Sequence, residues 1–561
     1  MTKYADLSTY EFHEREWDSY EALREWFEWD LPDRFNMAEY VCDRWAETDG
    51  ERVAVYAETK SGDRRTLTFN ALRERTNCLA NVFTDRGVGR GDRVAINLPQ
   101  RPETLLTHIA AWKVGAVTIP LSTLFGPDGL ETRLAESEAT LVVVDETNLE
   151  AMREVAPDLP SLNTILTVGV DDREANEVDF ETSLTTASPT FDVVKTTPAD
   201  DAVVIYTSGT TGDPKGVLHG HRLLLGQLPF FLTTYANLEL TEDDVFWTPA
   251  NWAWVSIFII VFPPLYYGKP VLAYQRGPFK PESAFELIER YGVTVGSFPP
   301  TSMRMMMQVE DPAARWELSS LRLVPTGGEE VGESLIDWVD ETFDGASVHT
   351  AFGQSEANGI IGECEALFSS NRSSLGRSGV GHEVTIVDRE TAEPIAKPGE
   401  LGEIAVRYED DPLLFKRYLE KPEQTSAKVQ NGWLLTEDLG TIDRDGYITY
   451  HSRKDDVIIT AGYRVSPGEI EDALGTHSAV IAAGVIGVPD EERGQIPKAV
   501  VELDDGVKPS GDLKEELEVH VRDTLAKYES PREIEFLDEL PKTVTGKIKR
   551  SALKDREEVT D

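Results

Sequence analysis

Ala202-Val-Val-Ile-Tyr206-Thr207-Ser208-Gly209-Thr210-Thr211-Gly212-Asp213-Pro214-Lys215-Gly216 decides how this chain is read. Its apolar, β-branched start, Ala202 to Tyr206, predicts a strand. The strand delivers a loop dense in Gly, Ser and Thr, and a Lys closes it. Successive backbone N–H groups in such a loop form a nest for an anion, and its hydroxyls add donors. Gly209 and Gly212 let the backbone approach phosphate oxygens with no Cβ in the way. Lys215 supplies a point charge. A Walker loop needs Gly-Lys-Ser/Thr, whereas here Lys215 precedes Gly216, so the loop binds phosphate by another pattern.

On both sides of this stretch, short apolar runs alternate with helical patterns. Val94 to Leu98, Leu141 to Val144, Val271 to Ala273, Val293 to Ser297 and Leu321 to Pro325 read as strands. Glu103 to Val114, Glu282 to Tyr291 and Gly332 to Phe343 read as helices. Such alternation predicts an α/β fold, with helices covering largely parallel sheets. After Gly399 the pattern changes to hairpins, at Gly402 to Tyr408, Trp433 to Asp438 and Tyr447 to His451. They predict a small β-barrel-like part. A charged knot, Ser452 to Asp456, precedes a compact α+β segment. We therefore expect a large N-terminal domain over 1–453 and a small, mobile C-terminal domain over 454–561.

The chain has 561 residues and a formal charge of −45. A charge this large can mean disorder, but 11 Trp, 21 Phe and 17 Tyr supply a real core. It argues against nucleic acid and against an anionic membrane surface, both of which would repel the chain. Molar salt shortens the Debye length to about 3 Å and screens such self-repulsion. The composition therefore points to a salt-adapted cytoplasm. Cys42, Cys78 and Cys364 are far apart, which fits a reducing compartment without disulfides or zinc. The start lacks an apolar signal core. The most apolar run, Trp252 to Phe262, is closed by Pro263-Pro264 and is too short to span a bilayer.

Tyr206 to Gly216 resembles the signature of the adenylate-forming superfamily, which holds acyl-CoA synthetases, luciferases and peptide-synthetase adenylation domains. Five further stretches follow in that family's order. Gly327-Gly328-Glu329-Glu330 resembles the adenine-contacting turn. Thr350-Ala351-Phe352-Gly353-Gln354-Ser355-Glu356 resembles the aromatic-Gly-x-Thr-Glu stretch. Trp433 to Asp438 resembles the ribose-binding stretch, although Glu437 stands where relatives often have Gly. Ser452 to Ile458 with Gly462 to Arg464 resembles the hinge and its following loop. Pro541 to Lys547 resembles the catalytic lysine motif.

The resemblance implies a two-step reaction. A carboxylate attacks the α-phosphate of ATP, giving acyl-adenylate and pyrophosphate. A thiol then attacks the acyl carbon and expels AMP. Thr207, Glu356, Arg453 and Lys547 are the implied catalytic residues. Ser208 to Gly212, Lys215, Gly328 to Glu330, Thr350 to Ser355 and Asp438 are the implied remainder of the ATP site. Glu356 is a hard oxygen ligand suited to Mg²⁺. Phe352 offers a face to adenine and Asp438 two acceptors to ribose. Arg453 and Lys547 bring charge to the α-phosphate as pyrophosphate leaves. Asp455 is the implied hinge. Ala461, Gly462, Tyr463, Arg464, Arg493 and Arg532 are the implied CoA side.

With only fourteen residues after Lys547, no carrier domain is expected, and CoA is the expected thiol. Pro32 to Met37 and Trp45-Ala46 resemble the N-terminal segment of medium-chain and acetyl-CoA-synthetase-like enzymes. An adenylating monooxygenase of the same superfamily, or a non-catalytic acyl or nucleotide sensor, is the alternative. For the acid, Gly353 and Gly327 replace bulkier residues of acetyl-specific relatives. Both changes are expected to open volume that Trp252 and Trp254 could refill, with His221 bordering the carboxylate. A short- to medium-chain acid follows. The oligomeric state is not legible.

Overall fold

The structure is a computed structural model. It describes residues 4–207, 214–275, 277, 279–329, 331–454, 456, 458–460, 463–465, 467–490, 493–504, 506–525, 530–542 and 548–560.

Two large sheets carry the N-terminal part. The first has eight strands, ordered Arg417–Tyr418, Lys215–Gly220, Asp201–Thr207, Val117–Pro120, Arg93–Asn97, Leu141–Asp145, Thr164–Val168, Glu177–Asp179. It is parallel from Asp201–Thr207 outward, as the alternating pattern predicts. Only its other edge is antiparallel, where β1 (Asp201–Thr207) pairs with β2 (Lys215–Gly220) and β2 with Arg417–Tyr418. Successive residues of β1 face opposite ways. Val203 and Ile205 enter the largest core, while Val204 and Tyr206 enter a second one. Burial on both faces explains the unbroken apolar run.

The second sheet has nine strands. Its parallel centre includes β3 (Leu323–Gly327) and β4 (Ser347–Gln354), and its edge turns antiparallel at β5 (Ala357–Gly362). Helices such as Pro281–Tyr291 and Glu333–Thr342 pack their apolar stripes against it in a third core.

The hairpin region forms a five-stranded antiparallel sheet around one long strand, β6 (Trp433–Ile442), which pairs with β7 (Ile448–Arg453). The pairings among described residues give this hairpin-built sheet an open strand order. The last segment forms another five-stranded sheet with its own two cores, around Ile470 and around Leu540. The helix Ile257–Ile260 stops before Pro263 and Pro264. They sit in the helix Phe262–Tyr266, which begins in its first turn with proline, where no N–H is missed. Among the described residues, no helix is long and apolar enough to cross a membrane.

Candidate active site

The predicted phosphate loop runs from the end of β1 to the start of β2, where Thr207 faces Lys215 across the hairpin. A Walker loop runs from strand into helix, so the topology agrees with the absence of Gly-Lys-Ser/Thr. Ser208 to Gly212 lie outside the described residues. Lys215 Nζ lies 5.3 Å from the ring centroid of Tyr418. The Tyr418 hydroxyl donates to Glu356 Oε1 at 2.5 Å. Burial first, and then the Glu356 carboxylate, push the Tyr418 phenol far up, so it keeps its proton and donates. Glu356 is 7% exposed. The Phe415 amide fixes its backbone by donating to Glu356 O at 2.9 Å.

Just before Glu356 lie two further anchors. His219 on β2 donates from Nε2 to Ser355 O at 2.7 Å. Burial pushes its pKa down to about 4, so the ring is neutral. Gln354 at the end of β4 donates to Thr436 O at 3.0 Å. Thr436 O also accepts from Arg453 Nη1 at 3.3 Å. Arg453 faces Asp438 across the β6–β7 pairing, with Nη1 3.3 Å from Asp438 Oδ1. One carbonyl thus ties the Glu356 stretch to the Asp438–Arg453 pair.

Of the implied adenine turn, Gly328 has φ +85°, the left-handed region that glycine enters at no steric penalty. Glu329 is already engaged: both its oxygens accept from the Thr301 hydroxyl, at 3.1 and 2.8 Å. Ala351 and Phe352 are half-buried on β4, and the Thr350 amide donates to Glu363 at 2.9 Å.

The acyl-side expectations change. A Cβ on Gly327 would overlap the Ala351 carbonyl oxygen, and one on Gly353 would overlap the Gly359 amide and lie 2.8 Å from Ala357 O. Both glycines serve close backbone approach, between β3 and β4 and across the β4–β5 turn. At both positions the place of a Cβ is taken by backbone. His221 is fully buried, and its Nδ1 accepts from the Met37 amide at 3.2 Å. Burial pushes its pKa down to about 3. Its ring stands in the core, and its Nε2 meets no hydrogen-bond partner among the described residues. Trp252 is a core residue at 1% exposure. Trp254 stays half-buried, edge-on to Phe125 at 6.3 Å.

On the C-terminal side, Tyr463 and Arg464 lie on the strand Tyr463–Val465. Arg493 and Arg532 are exposed, and neither guanidinium meets a carboxylate among the described residues. Glu330, Asp455, Ala461, Gly462 and Lys547 lie outside the described residues.

Sequence reasoning missed Tyr418, Thr436 and His219. Tyr418 sits in no motif, and only its pairing next to β2 brings it to Glu356. Thr436 acts through its carbonyl, which no residue type announces.

The comparisons agree with this geometry. The AMP-binding enzyme model matches residues 42–419, and the AMP-binding enzyme C-terminal domain model matches residues 469–547. The chain is 34% identical over 552 residues to the mitochondrial acyl-coenzyme A synthetase ACSM4 of Rattus norvegicus, covering 96% of this chain and 93% of that protein. It is 35% identical to the acetyl-coenzyme A synthetase of Bacillus subtilis, covering 93% and 90%. Among solved structures, the Brucella canis acyl-CoA synthetase matches at a TM-score of 0.74 with 32% identity, covering 97% of this chain and all of that one. The chain belongs to the AMP-binding enzyme family, on its acyl-CoA synthetase side.

Proposed function

We propose that the chain joins a short- to medium-chain carboxylic acid to CoA through an acyl-adenylate, releasing pyrophosphate and AMP. The observation that carries this reading is the Thr436 carbonyl, which gathers Gln354, two residues from Glu356, and Arg453, the partner of Asp438. The groups suited to phosphate and to ribose thereby share one support.

The Thr207–Lys215 hairpin end cradles the β- and γ-phosphates. Lys215 adds charge, held beside the Tyr418 ring. Glu356 has one oxygen bound by Tyr418 and a second that accepts nothing among the described residues. A buried, oriented carboxylate of this kind fits a hard divalent cation. Glu356 would hold Mg²⁺, which draws charge from the phosphates. Asp438 accepts the ribose hydroxyls, and Arg453 and Lys547 stabilise charge at the α-phosphate as the acid carboxylate attacks. The protein positions and stabilises; it forms no covalent bond itself. The boundary near Asp455 would let the C-terminal segment turn, exchanging Lys547 for the 461–464 loop. Arg464, Arg493 and Arg532 would then meet the CoA phosphates. The exposure of Arg493 and Arg532, free of carboxylate partners among the described residues, supports that role.

The charge of −45 supports a salt-rich cytoplasm as the working solvent. The test is pyrophosphate release over acids from acetate to decanoate, with branched and aromatic acids, with and without CoA, in low and molar KCl. Pyrophosphate, AMP and thioester should appear together, best at high salt. Pyrophosphate without CoA consumption would point to the monooxygenase instead. No pyrophosphate with any acid would leave the sensor. Full activity and an unchanged melting temperature at low salt would overturn the solvent assignment.

A further inference from the structure

Glu437 is the one residue of the Thr436–Asp438 run with no role so far. It has φ +65°, a region that a non-glycine side chain enters only when its surroundings hold it. They do hold it. The Glu437 amide donates to Glu403 Oε1 at 2.9 Å, and the Lys454 amide donates to Glu437 O at 2.8 Å. Lys454 Nζ closes this frame on Glu403 Oε2 at 2.9 Å. The Glu437 carboxylate is thereby aimed at cations. It accepts from Arg453 Nη2 at 2.9 Å and lies 3.5 Å from Lys428 Nζ. Lys428 ends the helix Pro422–Lys428 with its side chain only 6% exposed. Burial alone would raise the Glu437 pKa, but Lys428 and Arg453 outweigh it, and Lys215 adds to them. An anion thus stands between Arg453, which the reading above assigns to the α-phosphate, and the buried Lys428, with Lys215 close enough to act on it.

We propose that Glu437 is a built-in competitor of the nucleotide, neutralising Arg453 and opposing the phosphates that need it. This rests on the ATP-site reading above and names a control on it. With the Glu437 side chain 46% exposed, salt reaches the pair. Its opposition is strong where the Debye length is about 10 Å, at 0.1 M salt, and fades where it is about 3 Å, at 1 M. A chain working in salt would carry such a residue lightly.

The test is direct binding of Mg-ATP by calorimetry, which needs no acid substrate, alongside KM for ATP in the pyrophosphate assay. Glu437→Gln keeps the backbone and side-chain volume and removes only charge. Glu437→Gly removes charge and strain together. Both should bind ATP roughly fivefold tighter than the unsubstituted protein at 0.1 M KCl, with the gap closing below about twofold at 2 M. The change should fall on KM for ATP more than on kcat. Weaker or unchanged binding in Glu437→Gln would overturn the proposal, since the carboxylate would then serve nucleotide binding or be idle. Tighter binding in Glu437→Gly alone, or a gap equal at both salts, would overturn it in favour of backbone strain. If the unsubstituted protein binds no Mg-ATP at either salt, the site reading itself falls and takes the competitor with it. Pyrophosphate release that is intact, with no effect of either variant, breaks only the competitor.

Discussion

On the side proposed for the nucleotide, side chains reach across strand ends: Tyr418 to Glu356, Gln354 to Thr436, Arg453 to Asp438. On the side expected to take the acid, backbone touches backbone. Gly327 lies against Ala351 and Gly353 against Gly359, with Trp252 sealed in the core. The first kind of site stores its chemistry in residue types at fixed spacings. The second stores it in shape. Substitutions on the first side should therefore cost activity at nearly constant stability, and on the second side stability before selectivity.

The largest expected effect is Lys547→Ala. A donor aimed at developing charge is worth about 10²–10³ in rate. Adenylation, read as acid-dependent pyrophosphate release, should fall by that factor. Thioester formation from preformed acyl-adenylate should persist. The reverse pattern would exchange the two half-reactions between Lys547 and the 461–464 loop.

The two histidines after Lys215 give the next effect, and it acts through pH. Burial lowers His219 to about 4 and His221 to about 3, against about 6.5 in the unfolded chain. The folded state therefore refuses protons that the unfolded state takes. The stability is intact above pH 6.5 and drains away as pH falls toward the folded values. At about 1.4 kcal/mol per unit, each histidine withdraws a few kcal/mol by pH 4. The melting temperature should fall steeply over that window, and less steeply in His221→Gln.

These cases show what was legible. The strand before Thr207 and the order of motifs follow from patterns that survive folding. An apolar run stays buried, and adjacent strands bring their ends together. The surroundings of His221, Gly327 and Gly353 were not legible because they are tertiary. A histidine two residues after another looks equally polar in sequence, yet Met37 covers one and Ser355 engages the other. A missing side chain reads as empty space until the facing strand is placed.

Gly327→Ala and Gly353→Ala sharpen that point. Overpacking against backbone costs about 1–3 kcal/mol. Both variants should melt lower, with no gain in discrimination between acetate and longer acids. A stable Gly353→Ala enzyme that prefers shorter acids would restore the freed-volume reading. A smaller effect is expected from Tyr418→Phe. It removes one hydrogen bond to the Glu356 carboxylate, worth about 1.5 kcal/mol when one partner is charged. KM for Mg-ATP should rise roughly tenfold, and the Mg²⁺ concentration for half-activity should rise with it. A fall in kcat alone would separate Tyr418 from the metal.

Trp254→Ala should give the smallest effect, and it tests the acyl side without breaking it. Trp254 is half-buried, and its ring meets Phe125 edge-on. Neighbouring Val255 and Ser256 are half-buried too, whereas Trp252 is sealed. Truncating Trp254 therefore removes a border, not a core. One methylene is worth about 1–3 kcal/mol to a selective pocket. A border exposed on one side should contribute at the low end. The optimum acid length should move up by a carbon or two, with kcat/KM for the longest acids improved by less than about tenfold and the melting temperature little changed. An acid profile identical to that of the unsubstituted protein would remove Trp254 from the acyl site and leave its floor to residues that no sequence feature marks.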